Sequence, residues 1–276
     1  MMYETNFHSV SSPQEAEAIL ATATDAKILA GGQTLIPTMK QRLAAPSDVI
    51  DLSRAEGLRG VTITKRKVMG VMKADGGETV TIGAMTTHAE VAANAELAEV
   101  FPAMCRLAGN IGDPAVRHRG TIGGSVANND PAADYPAALL ALAATIHTNK
   151  REIAASDYFQ GMFETALQEG EIITAVSFQA PAAGGYGKFP NPASRYAMAG
   201  VFVARSKDGA VRVAVTGAGE NGVFRHAGLE AALTADYSAN AVDRVEVSAE
   251  GLMSDLHGTA AYRANLIKVM AKRALA

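Results

Sequence analysis

The chain has a single cysteine, Cys105. That excludes an internal disulfide and fits a reducing compartment. It also excludes an iron–sulfur cluster built by this chain alone, because such a cluster takes four thiolates. The 276 residues contain no apolar run long enough to span a membrane and no basic stripe, and the net charge is −3; membrane insertion and nucleic-acid binding are not expected. Residues 1–10 lack the charged-then-apolar pattern of a secretion signal, which predicts a cytoplasmic chain. No G-x-S-x-G elbow or Cys–His pair offers a nucleophile. His88 and Glu90 form an H-x-E, but the second half of a zinc deaminase signature is missing and no other ligand pair has metal spacing. The histidines read as surface or hydrogen-bonded groups, and no metal site is expected. Gly217-Ala218-Gly219-Glu220-Asn221-Gly222 matches the dinucleotide fingerprint by letter. The chain beyond it is too short and too helical for a βαβαβ half, so it reads as a strand-ending turn.

What the chain does have is glycine in pairs. Gly31-Gly32 stands in KILAGGQTLIPTMK and Gly123-Gly124 in RGTIGGSVANNDPAADYP. In each, a short apolar or β-branched run leads to two glycines and then to small hydroxyl or amide residues. Lys27 to Ala30 reads as a buried strand, and Thr34 to Pro37 opens a helix. A strand that stops at Gly-Gly before a helix aims free N–H groups at one point, where a phosphate can sit. The second stretch repeats this: Thr121-Ile122 enters, Gly123-Gly124 turns, and Ser125 and Asn128 offer side-chain donors. Two cradles argue for a diphosphate. The candidate binding residues are Ala30, Gly31, Gly32, Gln33, Thr34 and Leu35 in the first, and Thr121, Gly123, Gly124, Ser125, Ala127 and Asn128 in the second.

Along the chain, Ser12-Pro13-Gln14-Glu15 starts a helix to about 23, and with strands at 27–30 and 49–52 forms a small α/β lobe. Strand-like runs follow at 58–64, 67–72 and 78–83, separated by turn residues that include Gly76-Gly77. A capping box at Thr87–Glu90 begins one helix, and 97–108 is another. After the second cradle, 136–144 reads as a buried helix, and 145–147 and 171–178 as strands. AAGGYG, between Pro181 and Pro190, reads as loop and marks a domain boundary near 181. Beyond it, strands at 195–204 and 211–216 and helices at 229–233 and 260–270 make a compact α+β unit. Asp130 and Asp134, four apart, read as helix N-terminal caps or, for Asp134, as a ligand contact.

AGGQT before LIPTMK, TIGG before NNDPAADYPAALLAL, and GYGKF before RYA resemble the FAD-binding medium subunit of the molybdenum hydroxylases. That family includes the flavoprotein subunit of aerobic carbon monoxide dehydrogenase and the FAD domain of xanthine dehydrogenase. The resemblance runs nearly end to end. It implies an α+β fold: a two-lobed, PCMH-like FAD-binding module over 1–180, with a small lobe to about 55 and a larger one from 56, then a small α+β domain over 181–276. It implies FAD as cofactor, with the molybdenum cofactor and [2Fe–2S] clusters in large and small partner subunits. Electrons would pass from those clusters through FAD to an external acceptor such as quinone, NAD or oxygen. Asp134 would face the polyhydroxyl chain of the flavin, and Asp130 is left as a cap. Lys188 and Tyr196 would lie near the isoalloxazine ring, Ile173 would pack on it, and Ile111 would lie at its dimethylbenzene edge. On the residues alone, Lys188 is a loop lysine, Tyr196 a half-buried strand tyrosine, and both isoleucines are equally good as core. Gln33 stands where many members have histidine and Ser125 where many have asparagine. The alternatives are a stand-alone NADPH-dependent reductase, similar to the enolpyruvyl reductase of cell-wall synthesis, and a flavin-free scaffold subunit.

Overall fold

The computed structural model describes residues 3–65 and 77–276 in full and the backbone of 67–68 and 71–72. The first helix, Pro13–Leu20, starts where the sequence places it: the Ser12 hydroxyl accepts the Glu15 N–H at 3.2 Å and proline occupies the first turn. It packs on a three-stranded parallel sheet in the spatial order Asn6–Ser9, Asp48–Asp51, Ala26–Leu29. The edge strand Asn6–Ser9 has no signal of its own in the sequence. Its residues are mostly exposed, so apolar alternation is missing. Val10, Ala16, Ile50, Leu52 and Leu58 form the core of this lobe and meet Met85 and Ile172 of the next layer.

That layer is a five-stranded antiparallel sheet in the order Val61–Lys65, Glu78–Gly83, Ile173–Gln179, Thr145–Thr148, Glu152–Ala154. The expected strand over 67–72 is described as two short pieces, Lys67–Val68 and Val71–Met72, paired antiparallel; 69–70 and Gly76 lie outside the described residues. Helices cover the sheet and share its core, which includes Val80, Ile82, Met104, Leu107, Ile122, Tyr135, Leu139, Ile146 and Val176. The helix expected over 97–108 is two, Ala95–Val100 and Pro102–Gly109. The break falls on Phe101, at φ −153° and ψ 79°, because the proline that follows disfavours helical geometry for the residue before it.

The third layer is a four-stranded antiparallel sheet, Ala183–Pro190, Ala197–Arg205, Val211–Thr216 and Phe224–Arg225, covered by the helix Ala260–Ala274. Its first strand corrects the reading of AAGGYG as loop. The glycines suit a strand here because a helix backbone lies directly on it: a Cβ at Gly185 would overlap the Ala274 carbonyl, and one at Gly187 the Met270 carbonyl. Strand Ala197–Arg205 is buried on both faces except at its end. Val201 and Val203 face the core with Leu266, Ile267 and Met270, whereas Phe202 and Ala204 belong to the core of the middle layer. Helix Ala239–Asp243 was not anticipated, and Ala227–Ala235 is longer than the predicted 229–233.

Candidate functional site

The two glycine stretches meet. A Cβ at Gly31 would overlap the Arg119 carbonyl and lie 2.7 Å from the Gly120 Cα, and one at Gly124 would lie 3.4 Å from the Ala30 Cβ. Between them and the layers described above runs a cleft of about 640 Å³, in the size range of ligand pockets. Ala30, Gly31, Gly32, Gln33, Thr34 and Leu35 line it from the first stretch, and Thr121, Gly123, Gly124, Ser125, Ala127 and Asn128 from the second; Ile111, Asp134, Ile173 and Tyr196 line it as well. Of the residues singled out from the sequence, Lys188 alone is not on its wall.

The two stretches reach the cleft by different means. In the first, the strand Ala26–Leu29 ends, Gly32 takes φ +73°, and the short helix Leu35–Lys40 begins. Among the described residues, the backbone N–H groups of Gly31, Gly32, Gln33, Thr34 and Leu35 have no protein acceptor. Five consecutive free donors in a turn form a concavity for an anion. In the second stretch, Gly123-Gly124 does not turn but lies in the first turn of helix Ile122–Asn128. Its N–H groups are already used: Ile122 donates to the Thr86 carbonyl at 3.1 Å, Gly123 to the Ala84 carbonyl at 2.8 Å, Gly124 to the Thr121 hydroxyl at 3.1 Å and Ser125 to the Thr121 carbonyl at 3.0 Å. Gly123 is glycine because a Cβ would lie 2.6–2.9 Å from Ala84 atoms. What this stretch offers a ligand is the side chains of Ser125 and Asn128.

Behind the cleft wall sits a buried polar cluster. Asp134 is 4% exposed; its Oδ2 accepts from the Lys188 ammonium at 2.9 Å and its Oδ1 from the Tyr186 hydroxyl. Lys188 also donates to the Asn110 carbonyl at 3.1 Å. Burial pushes the Asp134 carboxyl above the usual carboxylate range, against the pull of the Lys188 charge and the two hydrogen bonds. Burial, and then the charge of Asp134, drives Tyr186 well up. Asp134 makes no helix-capping bond, so both of its oxygens serve this cluster. Asp130 is not a helix cap either: its Oδ1 accepts the Ala132 N–H at 2.8 Å within a turn. Tyr196 is half-buried, at 48% exposed, but stands one residue before its strand rather than in it.

The sequence reading gave no binding role to His88, Asp130, Arg195 or Glu171, all of which lie on the cleft wall. His88 corrects the reading of the histidines as surface or hydrogen-bonded: it is 5% exposed and its Nδ1 has no partner among the described residues. Burial, with the charge of Arg117, lowers its pKa to about 4. Its capping-box neighbours carried no hint of this. Glu171, the cleft's one glutamate, is clamped by Arg151 at 2.7 and 3.0 Å. The Gly217–Gly222 stretch is a turn after the strand Val211–Thr216; the short strand Phe224–Arg225 that follows pairs antiparallel with it, and among the described residues no parallel βαβαβ half follows. Among the described residues no group of three or more His, Cys, Asp or Glu could hold a metal, and no helix is long and apolar enough to cross a membrane.

Residues 3–181 match the family described as the FAD binding domain in molybdopterin dehydrogenase. The chain is 35% identical to the nicotine 6-hydroxylase medium subunit of Paenarthrobacter nicotinovorans, over 98% of this chain and 95% of that one. It is 32% identical to the carbon monoxide dehydrogenase medium chain of Hydrogenophaga pseudoflava, again over 98% and 95%. A solved structure of carbon monoxide dehydrogenase from Hydrogenophaga pseudoflava superposes with a TM-score of 0.84 at 32% identity, over 100% of this chain and 97% of that one.

Proposed function

This chain belongs to the FAD-binding medium-subunit family of the molybdopterin dehydrogenases, and from that premise we propose that it is the electron-transfer subunit of a heteromeric oxidoreductase. In this reading a small iron–sulfur subunit and a large molybdenum subunit are its partners, and an external acceptor such as quinone, NAD or oxygen takes the electrons. FAD, when bound, supplies a centre that accepts electrons from [2Fe–2S] clusters and releases them to that acceptor.

The observation that carries the proposal is the run of five unpartnered N–H groups at residues 31–35 in a cleft lined by both glycine stretches. These donors suit a diphosphate, and Gln33, Ser125 and Asn128 would add side-chain hydrogen bonds. Asp134, on the wall, and Lys188 behind it form a neutralised pair, so neither presents an unpaired buried charge to the cleft. Ile111 and Ile173 would give an apolar end, and Tyr196 a ring able to cover one face of a flat ligand. We assign the FAD-binding module to 1–180 and the small domain to 181–276.

The purified chain is expected to be yellow and, on heating, to release FAD, one per chain. Addition of the photoreduced iron–sulfur subunit under anaerobic conditions should bleach the colour. Release of FMN or of no flavin sinks the cofactor assignment. Rapid bleaching by NADPH, with turnover of an enoyl substrate by the chain alone, installs the stand-alone reductase instead. Such a reductase needs a catalytic serine and a catalytic glutamate; against it stands Glu171, the glutamate on the cleft wall, whose carboxylate is committed to Arg151.

A further inference from the structure

The second glycine stretch ends at Asn129, which is buried and takes φ 43°. Its side-chain amide donates to the carbonyls of Gly161 and Glu164, both at 2.8 Å, and its own carbonyl accepts the Phe163 N–H at 3.0 Å. These bonds clamp the hairpin Phe159–Gly161 to Glu164–Thr165 and hold Phe163 at φ 58°, a conformation that a bulky aromatic residue rarely adopts. The clamp turns Met162 and Phe163 outward, 47% and 61% exposed. Beside this apolar knob lies an apolar hole. It is an open cavity of about 300 Å³ lined by Gly219, Gly222, Val223, Phe224, Val247 and Leu252 among others, and it shares no lining residue with the cleft. A Cβ at Gly222 would lie 3.5 Å from the Gly161 carbonyl oxygen, so knob and hole adjoin.

The segments around the face are rich in carboxylates: 156–165, 217–224 and 245–252 contain Asp157, Glu164, Glu220, Glu246 and Glu250 and no lysine or arginine, and the arginines that flank them, Arg225 and Arg244, are paired with Glu230 and Asp236. Glu250 and His226 line the hole itself. Among the described residues none of these five carboxylates forms an ion pair. A second copy of the chain would set carboxylates against carboxylates, which opposes self-association through this face. The iron–sulfur subunit has to reach the mouth of the cleft, which is lined by other residues. We propose that this face docks the molybdenum-carrying subunit, which places an apolar side chain in the hole, receives Met162 and Phe163 in a recess of its own, and rims both with lysine or arginine. The inference rests on the reading of the chain as a subunit of such a complex.

The test uses the full flavin-loaded chain and its separately expressed molybdenum and iron–sulfur subunits, with dissociation constants measured at low and high salt. Wild-type affinity for the molybdenum subunit should fall as salt rises. Phe163→Asn should weaken it by roughly tenfold or more. Asparagine accepts positive φ readily, so the same variant should leave the isolated chain's thermal midpoint unchanged or higher and its flavin content intact. The double variant Glu220→Lys, Glu250→Lys should weaken binding and flatten its salt dependence. Wild-type affinity for the molybdenum subunit in all variants overturns the docking face, as does a loss confined to the iron–sulfur subunit or to self-association. If the wild-type chain binds neither subunit, the subunit reading fails first and the docking face with it.

Discussion

His88 and Asp134 are each buried beside the cleft, and each makes a measurable claim. His88 has a pKa of about 4, against 6.5 for the free side chain, because burial disfavours its charged form. Between those values the unfolded chain binds more protons than the folded one, so the stability His88 contributes is complete above about pH 6.5 and is lost as the pH falls towards 4. The span corresponds to about 3 kcal/mol. Chemical denaturation of wild type and His88→Gln across this range should show the smaller pH slope in the variant; equal slopes remove His88 from the balance. Asp134→Ala strands the Lys188 ammonium in the interior, which costs about 3–5 kcal/mol, whereas loss of a helix cap costs about 1 kcal/mol. Adding Lys188→Met to Asp134→Ala should restore much of the loss. An unrestored midpoint in urea means that the pair is not what holds this wall. The sequence marked both members of the pair, but Tyr186, the third, drew no role although GYGKF contains it; only the strand alternation that sets it two residues from Lys188, on the same face, brings it to Asp134.

Among the elements, the glycine-rich strand Ala183–Pro190 shows why part of the fold was illegible. Capped helices such as Pro13–Leu20 and the alternating runs of the central sheet announce themselves in their own few residues. The glycines of AAGGYG have the composition of a loop, and their use in a strand depends on the helix Ala260–Ala274 far downstream, whose backbone occupies the space a side chain would need. Gly187→Ala is therefore expected to push that helix off the sheet and destabilise the protein by at least about 3 kcal/mol. Gly209→Ala, at φ +92° with nothing within 4 Å of the new Cβ, should cost about 1–2 kcal/mol through backbone strain alone. Denaturation midpoints of the two variants decide it, and equal losses would mean the helix yields freely. The same distinction applies to the glycine pairs. Their place in the site was legible, but Gly123 is held by Ala84 rather than by a ligand. Replacing Gly123 with valine thus tests the helix, whereas the binding loop is tested at Gly32.

For the whole molecule, the middle layer draws part of its core from beyond residue 181, the proposed boundary, where the family match also ends. Phe202, at 6.1 Å from Phe101 between ring centroids, and Ala204 and Ala214 belong to the middle layer's core. A fragment ending at 181 should bind a hydrophobic dye and show no cooperative thermal transition; a sharp transition would make the first 181 residues autonomous. The central sheet sets a further condition, on synthesis. Strand Glu78–Gly83 has its earlier neighbour, Val61–Lys65, at once, but its other edge pairs with Ile173–Gln179, from Gly83 opposite Ala175 to Thr79 opposite Gln179. A ribosome adding about 5–20 residues per second leaves that edge open for about 5–20 s, with Val80 and Ile82 uncovered. Every nascent copy passes through this interval as a template for pairing with its neighbours, so a lower growth temperature or a co-expressed holdase should raise the yield of soluble chain.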